Sequence, residues 1–188
     1  MIMDAQIRSR TSKQMMYVAI ISMIMMFAGL TSAYVISSNR EDWVSFDLPQ
    51  ALYISTLLII LSSISYFLAK KSILKNNRSQ TTIFLVITLV LAVGFVFFQF
   101  EGFNQLREVD LYFTGEGSVV SSSLLVVISF AHLLHVAAGL VVLLVVLFRH
   151  LNNKYSADNA LGLEVGGIFW HFVDFLWIFL FLFFYFIT

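Results

Sequence analysis

The stretch WHFVDFLWIFLF, residues 170–181, places a histidine, His171, and an aspartate, Asp174, inside a run otherwise suited to lipid. A carboxylate at the centre of a bilayer costs roughly 2.5 to 3.5 kcal/mol on insertion scales, so something must repay its presence. If the stretch is a membrane helix, both groups have to face the inside of a bundle or a polar path.

The whole chain supports the membrane reading. Of its 188 residues, 60% are hydrophobic and 12% charged, with twenty Phe, a single Pro and a mean hydropathy of +0.90. That balance is far from a soluble domain. Eleven basic residues offset eleven acidic ones, so net charge points to no nucleic-acid partner. The absence of Cys removes disulfides, thiolate zinc sites, iron–sulfur clusters and cysteine nucleophiles. A metal would have to use His and carboxylates.

Five apolar stretches are long enough to cross about 30 Å of hydrocarbon at about 1.5 Å per residue. They fall near residues 15–37, 50–69, 81–100, 119–148 and 165–187 and predict an all-α bundle of five transmembrane helices, one domain over residues 1–188. The first follows the basic segment Arg8 to Lys13, but its apolar run is too long for a secretory signal, so it reads as an anchor. Basic residues gather before helix 1, between helices 2 and 3 (Lys70, Lys71, Lys75, Arg78) and between helices 4 and 5 (Arg149, Lys154). The other side carries Glu41, Asp42, Asp47, Glu108, Asp110 and Glu116, with only Arg40 and Arg107. The positive-inside rule then puts the N-terminus in the cytoplasm and the C-terminus outside, periplasmic in a bacterial cytoplasmic membrane. The basic loop at 70–78 suits this topology signal or anionic head groups.

Helix 1 holds Met15, Met16, Met23, Met25 and Met26, read as flexible packing rather than Cu(I) ligation. Gly162 and Gly166, and the series Ala131, His135 and Gly139, give helices 5 and 4 faces suited to close approach. Helix 4 places His132 and His135 one turn apart. On helix 5, Glu164 precedes His171 by seven residues and so points in nearly the same direction, with Asp174 on the same broad face. Counting from the helix ends sets His135 and Asp174 at similar depth, about 21 Å from the inner side. The five groups His132, His135, Glu164, His171 and Asp174 are therefore expected to form a structural polar cluster whose members pair with one another. A metal or bis-histidine haem site, with His171 and His132 or His135 as ligands, and a proton or ion relay stand as the other readings. Paired Glu-x-x-His motifs of di-iron bundles do not occur, and neither repeats nor broken helices suggest a small ion carrier.

These residues resemble subunit III of the haem–copper terminal oxidases, best known from cytochrome c oxidase. The last helix of that family reads much like Trp170, His171, Phe172, Val173, Asp174 and Trp177, with a glutamate in the place of Glu164. Its preceding helix is similar to His132, Leu133, Leu134, His135, Val136 and Gly139, and the MMFAGLTSAYV segment at 25–35 resembles the family's Phe-Ala-Gly-Leu element. Trp170, Phe172 and Trp177 count there as packing residues. Five helices match the short form of the subunit, and the likeness covers nearly the whole chain. One departure stands out: Met23 follows Ser22 where many members have a buried glutamate.

The resemblance implies a non-catalytic accessory subunit in aerobic respiration, with no catalytic residue, cofactor or metal of its own. Haem and copper would lie in partner subunits, where oxygen is reduced to water with proton pumping. Subunit I would be the main contact, beside subunit II. The implied roles are stability, phospholipid binding in a cleft and support of proton uptake, the last without the glutamate that Met23 replaces. The same signatures suit a quinol oxidase or a nitric oxide reductase accessory subunit.

Overall fold

A computed structural model describes residues 2–41, 43–108, 119–156 and 159–187, with the side chains of 2–6 and 8 outside that description. Five helices carry the chain: α1 (Ile2–Ser37), α2 (Gln50–Leu74), α3 (Arg78–Glu108), α4 (Val120–Leu151) and α5 (Leu161–Ile187). Each is long and apolar enough to cross a membrane, and the chain is an integral membrane protein. Every helix begins or ends beyond the apolar run that predicted it. The basic segment Arg8 to Lys13 is itself helical, as are Lys70 and Lys71. Hydropathy reports only the hydrocarbon core, whereas backbone hydrogen bonding continues through the headgroup layer on polar residues.

The turns at the basic end have a local cause. Asn76 and Asn153 adopt left-handed backbone, φ 55° and 58°, directly after α2 and α4. In each case the two following amides close the last helical turn: Asn76 to Ile73 O and Asn77 to Ser72 O, then Asn153 to His150 O and Lys154 to Arg149 O. Asparagine tolerates this conformation, and the motif satisfies carbonyls that a helix end leaves bare. The Asn77 side-chain oxygen then accepts from the Gln80 amide at the start of α3. The 157–158 and 109–118 segments, where Asp110 and Glu116 lie, fall outside the described residues.

α2 and α3 form the most extensive pair, and α5 packs against α1, α2 and α4. Three apolar layers follow along the bundle. One, around Tyr66, Leu85, Leu163 and Trp170, lies toward the basic end; a second joins Ile59, Phe95, Val136 and Trp177; the third joins Phe27, Tyr34, Leu125 and Phe184. α1 buries only Met23, Phe27, Thr31 and Tyr34 among its described side chains, at spacings of four, four and three that make one narrow stripe. Met15, Met25 and Met26 face outward, so most of the methionine-rich surface packs nothing within this chain.

Candidate functional site

α2 is apolar overall but carries Ser55, Thr56, Ser62, Ser63, Ser65 and Tyr66. Four of these meet α5 in a ladder. Trp170 Nε1 donates to Ser62 Oγ at 3.2 Å, and Trp177 Nε1 donates to Thr56 Oγ1 at 3.0 Å. His171 Nδ1 and Ser63 Oγ are hydrogen-bonded at 2.7 Å, while the Tyr66 hydroxyl donates to the Leu163 carbonyl at 3.0 Å. Indole N–H groups away from water need acceptors, and a serine or threonine on a facing helix supplies one without a charge. Both signature tryptophans are thus hydrogen-bonded anchors as well as packing groups, and Phe172 packs against both the Trp177 layer and the Phe27 layer.

Close helix approach makes the ladder possible. A Cβ built on Gly139 would stand 3.0 Å from the Trp170 ring, and one on Gly167 would stand 2.8 Å from Tyr66. Gly166 likewise faces the Tyr66 hydroxyl and Val146. The small-residue faces expected on α4 and α5 exist, but the second receives a tyrosine of α2, not only α4.

The five polar residues do not meet as the expected pairs. Glu164 forms an ion pair with Lys13 of α1, 2.7 Å apart, with both side chains about a third exposed at 28% and 35%. His135 Nδ1 bonds to the Ala131 carbonyl of its own helix at 2.7 Å. His171 turns to Ser63 and lies edge-on to Tyr66. His132 is fully buried among Trp177, Phe27 and Phe95, its centroid 5.1 Å from that of Trp177, with no hydrogen bond at either nitrogen. Asp174 is 2% exposed, and neither carboxyl oxygen has a hydrogen-bonding partner. The expected contact between His135 and Asp174 is therefore absent. Depth along two helices does not fix rotation about their axes, and Asp174 shares the side of α5 that faces α2.

The same geometry bears on the haem reading. His132 sits on α4 among Phe27, Phe95 and Trp177, whereas His171 turns from α5 to Ser63 of α2. Two such imidazoles do not converge on one iron. Among the described residues, no group of three His, Asp or Glu side chains is placed to hold a metal ion.

Sequence reasoning missed three contributors. The hydroxyl density of α2 was the available signal for Thr56, Ser62 and Ser63. Lys13 was visible only as a topology charge, although it is the partner of Glu164. His150 looks like a helix-end cation, yet it is 3% exposed, and its Nε2 meets the Arg78 carbonyl at 3.2 Å and Thr82 Oγ1 at 3.1 Å. Arg78 also donates to the Tyr155 carbonyl at 3.1 Å, so the start of α3 fastens the α4–α5 connection.

Comparison with known proteins gives this arrangement its family. The family model for cytochrome c oxidase subunit III matches residues 8–188. Similar proteins include cytochrome c oxidase subunit 3 of Spodoptera frugiperda, 37% identical over 69% of this chain and 84% of that protein. The subunit 3 of Alkalihalophilus pseudofirmus is 32% identical over 82% of this chain and 73% of its own length. That of Drosophila melanogaster is 34% identical over 74% of this chain, a match that spans about half, 51%, of the fly protein. With the tryptophan anchors, the paired histidines of α4 and five spanning helices in place, the chain belongs to the cytochrome c oxidase subunit III family and is by that membership an accessory subunit of a haem–copper oxidase.

Proposed function

We propose that the chain stabilises the assembled oxidase and holds phospholipid beside it, with subunit I as its main contact and subunit II nearby. Haem, copper and oxygen reduction reside in those partners. In this reading the chain works in a bacterial cytoplasmic membrane with its basic end inside. The polar residues Glu164, His171 and Asp174 of α5 and His132 and His135 of α4 serve architecture, and no catalytic or metal-binding role is assigned to them. Support of proton uptake belongs to the same reading, and it does not run through a carboxylate on α1, since Met23 occupies that position.

The lipid part is carried by one observation. A cavity of about 1420 Å³ lies between the basic-end half of α1 and α4 and α5. Met16, Val141 and Val145 give it apolar walls, while Arg149, Lys154 and Ser12 line it with donors and charge. A phospholipid has that division: acyl chains for the walls and an anionic head group for the cations. Lipid extraction and mass spectrometry of the purified complex tests the idea. Wild type is expected to retain anionic phospholipid through washing that strips R149Q/K154Q, and equal retention by the two would remove the cavity from the account.

The oxidase reading is favoured over the quinol-oxidase and nitric oxide reductase alternatives by the names of the relatives, all cytochrome c oxidase subunit 3.

A further inference from the structure

Buried polar groups in native proteins are nearly always hydrogen-bonded, and the cost of leaving one bare is highest where water is scarce. Among the buried groups of α3 and α4 this rule is broken several times. Gln99 Oε1, Ser129 Oγ and both ring nitrogens of His132 are enclosed by the chain's own atoms and have no protein partner. The Gln99 amide nitrogen is used, donating to Ser55 Oγ at 3.0 Å, so its oxygen is the free end.

Helix geometry brings these groups together. The rings of Phe95 and His132 contact each other edge-on, centroids 6.1 Å apart, which fixes the register of α3 against α4. Gln99 lies four residues beyond Phe95 on the same buried stripe of α3, about 6 Å along the axis. Ser129 lies three residues before His132 on the buried face of α4, about 4.5 Å along its axis. Because the consecutive spans α3 and α4 run antiparallel, both displacements point the same way. Gln99 and Ser129 therefore lie at similar height about one turn beyond the ring contact, each on the buried side of its helix.

The unmet chemistry is complementary. Gln99 offers an acceptor and Ser129 a hydroxyl, while a neutral imidazole offers one donor and one acceptor. Since the atoms are already enclosed, neither a lipid nor a neighbouring subunit reaches them. A ligand that both donates and accepts, and is no larger than a water molecule, meets the requirement. We propose that Gln99, Ser129 and His132 bind buried water between α3 and α4, about one or two molecules at roughly three hydrogen bonds each. The site holds His132 in its aromatic surroundings through water instead of a charged partner. The inference stands apart from the lipid cavity and from the identity of the partner subunits.

The experiment uses the assembled complex in nanodiscs. A density map fine enough to show ordered water is expected to place a peak within hydrogen-bonding distance, about 2.7 to 3.2 Å, of His132 and of Gln99 or Ser129. Ordered side chains bonded directly to one another, with no such peak, would overturn the proposal. Thermal release of the subunit supplies a second readout for Q99L, S129A and the conservative H132F, which keeps an aromatic ring on Trp177. If water links the groups, Q99L and H132F each lower the release midpoint and the double variant falls no further than the worse single one. Fully additive shifts would mean that the two groups share no molecule and would contradict the site.

Discussion

His171 Nδ1 lies 2.7 Å from Ser63 Oγ, tying α5 to α2, whereas Asp174, three residues along α5, has no hydrogen-bonding partner for either carboxyl oxygen. The histidine in the membrane is thus repaid by a neutral hydroxyl on a neighbouring helix. The aspartate is repaid by nothing ionic within the described residues.

This difference separates two substitutions. D174N keeps the shape and removes the ionisable group, and with no cation facing Asp174 among the described residues it should leave assembly and thermal release of the subunit near wild type. D174K should prevent incorporation, because it buries a cation without an anion at a cost of several kcal/mol. Quantifying the subunit in the purified complex checks both. Loss of the D174N protein would reveal an ionic partner supplied from outside this chain.

Removing the hydroxyl from the ladder should weaken α2–α5 packing modestly. Interhelical hydrogen bonds in membranes average about 0.6 kcal/mol, so S63A and T56A should each lower subunit-release temperature slightly and reversibly. W177F should act with T56A non-additively, since one bond joins that pair. Independent effects of the two changes would show that the bond carries no energy.

Steric control is stronger. The Trp170 ring stands only 3.0 Å from where a Cβ on Gly139 would be, closer than van der Waals contact allows without a shift. G139L should force α4 from α5 and destabilise by about 1 to 3 kcal/mol or more. G29L, at a glycine with nothing within 4 Å of its added Cβ, should leave the isolated fold unchanged. Circular dichroism melts of the two variants in detergent make the comparison.

The Lys13–Glu164 pair is about a third exposed, and pairs open to water are worth about 0 to 1 kcal/mol. E164Q should therefore change stability little. The pair also joins α1 to α5 beside the cavity that Glu164 lines, so faster phospholipid exchange is expected in E164Q, with restoration in the swap K13E/E164K. Unchanged exchange in E164Q would make the pair incidental.

Much of this architecture was legible in the sequence because the hydrocarbon core imposes length and polarity on every span. Five helices, and the burial of His132 and Asp174, follow from that constraint alone. Rotation about each helix axis was not legible: it is set by side chains such as Tyr66, which fills the space above Gly166 and Gly167. That is why Asp174 was assigned to His135 when its side of α5 meets Ser63 on α2. The hydroxyls of α2 were hidden for a different reason. Serine and threonine are common in apolar helices, where their side chains bond their own backbone, as Ser55 does to the Leu52 carbonyl at 2.9 Å. The facing Trp170, Trp177 and His171 show which of these hydroxyls serve α5.

Whether this chain is an accessory subunit without redox chemistry of its own is decided by mild-detergent affinity purification from native membranes. Reduced-minus-oxidised spectra would be recorded on the purified material and on the chain expressed alone. A haem signal together with large haem-bearing and copper-bearing partners is expected in the first sample, and no haem signal in the second. A haem spectrum from the isolated chain, or purification without an oxidase, would contradict it.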